Sequence, residues 1–323
     1  MNTCVTLPIP TPFPVGPINA YLIKSDPITL IDCGPNTEEA KQYLASQLEK
    51  TGLKIEDIER IIITHTHPDH FGLAAYLQRI SKAPVYVHNA DVIKAQNRYQ
   101  HLERVNVYLS YAGMPDELCN QLKEYFKWEV SFVEPIEEII GVEDGHIFSF
   151  DGFNLQGVLT PGHSIGHLCL LQKEAGFLFA GDTILDRITP NPVLEPLVEQ
   201  RFQREKSLQQ YIDSLHRLER LDIKCILTGH GNSLTDIAGT FERLKAHYQK
   251  RKNDIIKIVA NRLEFSPFEL TNALYHNLKV PVDYYLALSE IIAHLDLLEE
   301  EGKIIRKQST KGLVYTIENR KGD

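Results

Sequence analysis

Residues 64–70 read Thr-His-Thr-His-Pro-Asp-His, directly after the isoleucine-rich run Ile58–Ile63. Four side chains able to bind a metal, His65, His67, Asp69 and His70, fall within this short stretch. His65 and His67 are two apart, so an extended chain points both to the same side. Pro68 suits the first turn of a helix, and Leu73, Ala74, Leu77 and Ile80 follow at helical apolar spacing. Asp69 and His70 are thus expected to project from a helix start. One short segment can then supply two nearby metals with different ligands. The plainer reading is a His-rich surface loop, but such loops rarely follow a buried-type strand.

Three further motifs bring ligand-type residues to strand ends: Thr160-Pro161-Gly162-His163, Phe179-Ala180-Gly181-Asp182 and Leu227-Thr228-Gly229-His230-Gly231. In each, glycine lets the backbone turn tightly and lets neighbouring groups approach. A single Gly-His pair says little, whereas three such ends added to the first motif say much. The chain also echoes itself. Thr29–Gly34, with Asp-Cys-Gly at its end, is matched by Phe177–Asp182, and Ile61–His65 by Cys225–His230, which suggests a duplication.

The elements that must hold these residues read as α/β layers. Ala20–Lys24 and Ile28–Asp32 are expected strands. Thr37–Thr51 is an expected helix, with Thr37 as N-cap and Gly52 as stop. Ile58–Thr64 should be a buried strand, followed by the ligand segment, one helix to about Lys82 and the strand Pro84–His88. That alternation implies layered α/β structure. Asp91–Phe132 is mostly helical in pattern and rich in aromatics (Tyr99, Tyr108, Tyr111, Tyr125, Phe126, Trp128), which suit either helix packing or the lining of a substrate cleft. Ile147–Phe150, Phe153–Thr160, His167–Gln172 and Phe177–Ala180 are short strands, Gln203–Leu221 a helix and Ile223–Thr228 a last buried strand. Between them, Thr183–Gln200 is irregular and proline-broken, and Asp186–Pro196 within it should overhang the site, with Arg187 or Asn191 available for substrate contact.

Composition narrows the class. The 323 residues suffice for two domains, and 43% apolar with 24% charged content is ordinary for a globular chain. No apolar run is long enough to span a membrane, and the proline-interrupted Met1–Pro17 does not resemble a signal peptide, so a cytoplasmic location is expected. The five cysteines are isolated and read as buried free thiols. Residues 1–239 carry 20 Lys and Arg against 31 Asp and Glu, and residues 240–323 carry 14 against 12. The first segment is therefore an unfavourable surface for a polyanion.

After about residue 238 the pattern changes. Phe241–Leu263 reads as a long amphipathic helix, Ser266-Pro267-Phe268-Glu269 caps a second, Asp283–Glu301 forms a third, and Lys303–Lys307 with Leu313–Glu318 makes a hairpin. Three helices and a two-stranded wing are the order of a winged helix. The third helix holds Asp283, Glu290, Asp296, Glu299, Glu300 and Glu301, with no Lys or Arg from Tyr284 to Gly302. A packing or substrate-gating role is favoured over nucleic-acid binding.

Taken in order, these motifs resemble the metallo-β-lactamase superfamily over about residues 5–236, and in particular its glyoxalase II-like and LACTB2-like branches. The resemblance implies a four-layer αββα sandwich over residues 1–238, with a helical insert at about 91–132, and a winged-helix-like domain over 239–323. It implies two divalent metal ions, with His65, His67 and His163 on one, Asp69, His70 and His230 on the other, and Asp182 between them. Zinc suits this set, with iron or manganese also compatible. Asp32 would support the site rather than ligate, as would His167. His88 is expected to be structural or on the surface. His146, His101, His216, His247, His276 and His294 are expected to face solvent or pack. True β-lactamases of the superfamily typically have a Cys ligand where Asp182 stands, so β-lactam hydrolysis is not expected.

The implied mechanism uses a hydroxide bridging two metals about 3.5 Å apart, oriented by Asp69 as the catalytic residue. The expected function is hydrolysis of a small ester-type substrate, a thioester or lactone. The alternative is a metal-dependent endoribonuclease or phosphodiesterase. The expected partner is a small-molecule substrate. Nucleic acid is not favoured, no membrane is expected, and a homodimer is left open.

Overall fold

A computed structural model describes residues 3–96, 98–196, 203–260, 262–309 and 312–317. The first half of the chain builds a six-stranded sheet. Strands β1 (Cys4–Ile9), β2 (Ile18–Ile23) and β3 (Thr29–Ile31) pair antiparallel. Helix α1 (Glu38–Lys50) then crosses over to β4 (Arg60–Ile62), parallel to β3. Thr37 caps α1 by accepting the Ala40 amide on its hydroxyl. Helices α2 (Pro68–Phe71) and α3 (Ala74–Ser81) lead to β5 (Val85–His88). Helices α4 (Asn89–Gln96), α5 (Arg98–Tyr111) and α6 (Asp116–Val130) lead to β6 (Ile139–Val142), and the strands lie in sequence order.

The second sheet contains β7 (Ile147–Phe150), β8 (Phe153–Leu159), β9 (Leu168–Gln172) and β10 (Phe177–Gly181), followed by helix α7 (Ser207–Glu219) and β11 (Cys225–Thr228). Its order is β11-β10-β9-β8-β7, with only the β10–β11 pair parallel.

Three apolar clusters make the layers. Tyr21, Ile31, Ile62, Phe148, Leu168 and Phe179 meet between the sheets. Leu44 and Leu48 of α1 and Leu77 of α3 cover the first sheet. Leu208, Tyr211 and Leu215 of α7 cover the second. The αββα sandwich read from the sequence is therefore the fold.

Three details differ from the sequence reading. The single helix expected to run to Lys82 is two, because at Gly72–Leu73 the chain turns away: the Leu73 amide donates to the Gly34 carbonyl at 2.9 Å instead of extending α2. A Cβ at Gly72 would lie 2.4 Å from the Phe132 carbonyl oxygen, so the close crossing requires glycine there. Strand β1 was hidden by its prolines, but an edge strand tolerates Pro8. Strand β6, too short and half exposed for a clear apolar signal, was also missed.

The C-terminal residues form α8 (Ile237–Val259), β12 (Glu264–Phe265), α9 (Pro267–Leu274), α10 (Pro281–Glu300), β13 (Ile304–Ser309) and β14 (Gly312–Ile317). The strands make a small sheet in the order β12-β14-β13. The capping box at the start of α9 forms as read, with Ser266 Oγ accepting the Glu269 amide and Glu269 Oε2 accepting the Ser266 amide. A fourth apolar cluster joins this part to the helical insert, with Tyr108, Leu122 and Phe126 packed in the same group as Leu288, Ile291 and Tyr315. The aromatic rings Tyr108 and Phe126 are thus helix-packing groups; the Tyr99 side chain lies outside the described residues.

Glu290 of α10 ties three helical segments together. Its carboxylate accepts from Arg251 Nε at 2.9 Å and from the Tyr275 hydroxyl, and lies 3.5 Å from His247 Nε2. Burial pushes its pKa up, but the His247 hydrogen bond, the Arg251 charge and the Tyr275 hydroxyl outweigh it and hold the group at about 2. A carboxyl depressed in the folded state adds stability above its unfolded pKa, and that stability disappears as pH falls through the folded value. Glu290→Gln is expected to cost about 3 kcal/mol at pH 7. The deficit should shrink between about pH 4.5 and 2, as read by urea unfolding across that range.

Candidate metal centre

The site is built where four strands stop. The β4 strand ends just before Thr64, and His65 and His67 follow in extended backbone, His67 being the N-cap of α2. Pro68 takes the first helical position, and Asp69 and His70 lie on the first turn. His163 follows β8, Asp182 follows β10 and His230 follows β11. All seven ligand-type residues named from the sequence come together. His65, His67 and His163 form one group, Asp69, His70 and His230 another, and Asp182 joins His65 and His70 in a third, with donor atoms in each within 4.8 Å of one another.

The hydrogen bonds set which ring nitrogen faces inward. Thr64 Oγ1 donates to Asp32 Oδ2 at 2.8 Å, so it accepts from His65 Nδ1 at 3.1 Å. His70 Nδ1 donates to Asp32 Oδ2 at 2.8 Å, His163 Nδ1 to the Asn191 carbonyl at 3.1 Å, and His230 Nδ1 to the Pro17 carbonyl at 2.9 Å. Each of these rings therefore turns Nε2 to the centre, the orientation following from the partner on the other nitrogen. His67 differs, turning Nδ1 inward, 3.0 Å from His65 Nε2 and 3.1 Å from His163 Nε2.

The donor set fits cations. His70 Nε2, His230 Nε2 and Asp182 Oδ1 are buried without a hydrogen-bond partner. His70 Nε2 and Asp182 Oδ1 lie 3.3 Å apart without pairing in hydrogen-bonding geometry, near enough for one ion to satisfy both. His230 Nε2 lies 3.3 Å from Asp69 Oδ2 and 3.7 Å from Asp182 Oδ2. Buried polar atoms left unpaired cost energy unless a ligand satisfies them. Neutral imidazoles and carboxylates are the ligand forms that divalent ions need. Burial alone would raise the Asp182 carboxyl, but His230, His70 and His163 hold it well below the usual carboxylate range. Burial would likewise raise Asp69, and His70 and His230 lower it. Burial and the neighbouring imidazoles depress His65. At His70 and His230 burial is outweighed by the facing carboxylates, Asp182 and Asp69, with Asp32 adding at His70, which raise both, so a cation binding there would displace their protons.

The geometry agrees with family membership read from sequence comparison. Residues 13–230 match the profile of the metallo-beta-lactamase superfamily. The chain belongs to that superfamily. It is 30% identical over 308 residues to the probable metallo-hydrolase YqjP of Bacillus subtilis (strain 168), covering 93% of each chain. It is 27% identical to the beta-lactamase-like protein 2 homolog of Caenorhabditis elegans, covering 82% of this chain and 73% of that one. Similarity extends at 23% identity to the atrochrysone carboxyl ACP thioesterase of Aspergillus fumigatus, over 72% of this chain and 56% of that protein. Among solved structures, a metallo-beta-lactamase family protein from Thermus thermophilus, TTHA1429, superposes with a TM-score of 0.82 at 28% identity, covering 98% and 99% of the two chains. The chain is a metallo-β-lactamase-fold hydrolase. Among the described residues no helix is long and apolar enough to cross a membrane.

Other described residues around the site do not join the donor groups. His167 is fully buried, stacks on His65 and accepts the Asp182 amide on Nε2 at 3.1 Å. Burial, then the neighbouring His163, depress it to about 3, so it stays neutral and able to accept. His88 is buried at the end of β5 and lies outside the ligand groups, its Nδ1 accepting the Ala90 amide. Arg187 is largely exposed, 3.7 Å from Asp186. Asn191 acts on His163 through its carbonyl, while its side-chain amide donates to the Leu286 carbonyl of α10. Sequence reasoning missed Asp91, Lys94 and Glu195, which are buried beside the ligand loops. Asp91 and Lys94 look like an ordinary helical i,i+3 surface pair, and no periodicity in a single sequence marks them as interior.

Gly229 is packed so closely that a Cβ would meet Asp182 Oδ1 at 2.2 Å and His70 Cε1 at 2.9 Å. Gly229→Ala should therefore displace the Asp182 and His70 donors and lower zinc affinity by at least about 10-fold. Zinc at 100 times Kd should stabilise chelator-treated wild-type protein by about 2.7 kcal/mol, and the Gly229→Ala variant clearly less, as read by thermal melts with and without zinc.

Proposed function

We propose that this chain is a dinuclear metal-dependent hydrolase acting on a small ester-type substrate, a thioester or lactone. The observation that carries the reading is the pair of donor groups with Asp182 between them. His65, His67 and His163 would hold one divalent ion, Asp69, His70 and His230 the other, and Asp182 would be shared. Bound there, such ions supply an activated water nucleophile and a Lewis acid for the substrate oxygen.

The protein's own residues do the remaining work. His67 is half-buried, and the Asp69 and His163 side chains retain 12% and 10% exposure, so substrate would approach from this side. Asp69, on the first turn of α2 and 3.3 Å from His230 Nε2, can accept a hydrogen bond from the nucleophile and orient it. Asp32 and the carbonyls of Asn191 and Pro17 hold the imidazoles so that their proton-bearing nitrogens face away from the reaction. No side-chain nucleophile is required, and burial pushes the thiols of Cys33 and Cys169 up and away from thiolate chemistry.

A carbonyl substrate is favoured over a polyanion by the acidic first segment and by an α10 free of Lys and Arg from Tyr284 onward. The thioesterase among the relatives supports the same choice. In this reading residues 1–238 are the catalytic unit and 239–323 a winged-helix-like unit. The Asn191–Leu286 hydrogen bond gives that unit a handle on the segment beside His163.

Purified protein reconstituted with zinc should carry about two equivalents per chain and turn over thioesters or lactones faster than bis-p-nitrophenyl phosphate or short RNA. Asp182→Ala should lose about 100-fold or more of that turnover, beyond the effect of a supporting residue. Full activity in metal-free protein would sink the mechanism. RNA as the preferred substrate would replace the ester reading with the nuclease one.

A further inference from the structure

Beside the ligand loops lies a second charged cluster, buried in the body of the protein. Asp91 of α4 is fully buried. Its carboxylate accepts the Thr66 amide at 3.3 Å, the Thr66 hydroxyl at 3.1 Å, the Ser164 hydroxyl at 3.1 Å and the Gly166 amide at 3.1 Å. Thr66 sits between His65 and His67, and Ser164 follows His163. Lys94, one turn along α4, places Nζ 3.0 Å from Asp91 Oδ1 and donates to Ser164 Oγ and Glu195 Oε1, both at 2.7 Å. Glu195 belongs to the same segment as Asn191, whose carbonyl orients His163. His101 Nε2 lies 3.4 Å from Glu195 Oε2.

We propose that Asp91, Lys94 and Glu195 form a charged clamp that positions the His65/His67/His163 group, and thereby sets metal affinity at that site and not at its neighbour. The proposal rests on the dinuclear reading above. The three loops that bear or orient this group are all gripped by one cluster. Among the described residues, no hydrogen bond of the cluster reaches Asp69, His70 or His230. His70 and His230 are held by Asp32 and Pro17 instead. The clamp parallels Asp32: Asp32 accepts the Thr64 amide and hydroxyl on one side of His65, and Asp91 accepts the same two groups of Thr66 on the other. Gly166 permits the approach, since a Cβ there would meet Asp91 Cγ at 2.6 Å. Burial opposes charge on both partners, but Lys94 and the donors hold Asp91 low, while Asp91 and Glu195 hold Lys94 high, so the Asp91–Lys94 pair stays ionised. Removing one member would leave uncompensated charge and loosen loops that must hold donors to within tenths of an ångström.

The test uses the full chain and zinc titrated against a chromophoric chelator. In a His230→Ala background, which keeps the His65/His67/His163 group, adding Asp91→Asn or Lys94→Met should weaken zinc binding by about 10- to 100-fold. In a His163→Ala background, which keeps Asp69, His70 and His230, the same changes should leave affinity within about 2-fold, smaller than any supporting-residue effect. Cobalt absorption spectra of the same variants should change only in the first background. If Asp91→Asn fails to fold, Ser164→Ala and Thr66→Val, each removing one hydroxyl from the clamp, carry the same comparison. Equal losses in both backgrounds would show a general structural role and overturn the clamp, as would no loss in either. Wild-type protein that takes up two zinc equivalents while the variants show no site-selective loss overturns the clamp alone; wild-type protein that takes up none overturns the functional reading with it.

Discussion

The Asp32 carboxylate is the constraint from which the rest of the centre follows. Its backbone sits at φ 55°, in the left-handed region that costs a non-glycine residue energy but that aspartate tolerates better than most. That conformation lets the chain leave β3 and turn the carboxylate back across the end of β4. One oxygen accepts the Thr64 amide, and the other accepts both the Thr64 hydroxyl and His70 Nδ1. A single buried anion thus fixes the exit of the ligand segment, the tautomer of His70 and, through Thr64, the tautomer of His65. Because β3 and β4 run parallel with Ile31 opposite Ile62, the apolar layers beneath hold this geometry in register.

The two sheets are joined at the same end. The Leu168 amide donates to the Thr64 carbonyl at 2.8 Å, the Asn19 amide to the Gly229 carbonyl at 2.7 Å, and the Tyr21 hydroxyl to the Thr228 carbonyl at 2.7 Å. Backbone groups that would be unsatisfied at strand ends therefore pair across the interface between sheets. Ligands from four strand ends can converge because their carriers are stitched to one another as well as packed. The consequence is crowding, which the glycines absorb: Gly181 lies where a Cβ would meet His167 Nε2 at 2.7 Å.

Orientation of the rest of the His65/His67/His163 group comes from farther away. His163 depends on the carbonyl of Asn191, and Asn191 in turn reaches α10, whose apolar face shares a core with the helical insert. Asp91 and Lys94 enter from the helix after β5. The C-terminal helices and the insert are thus mechanically continuous with one half of the centre, while the other half is anchored on β2 and β3 through Pro17 and Asp32.

The sequence by itself determined the layered α/β order, the strand ends and the ligand types, because these are local properties. Alternating apolar runs, a proline at a helix start and glycines before histidines act over a few residues, and the Thr64–His70 segment carries four ligand-type residues. Only the tertiary structure decided which nitrogen of each imidazole faces inward, since the partners of those rings are Asp32, Pro17, Thr64 and Asn191, three of them distant in the chain. It likewise decided that Asp91, Lys94 and Glu195 are interior. An aspartate and a lysine three apart on a helix look the same whether solvent or another loop lies opposite, and burial is settled by what the rest of the chain packs against them.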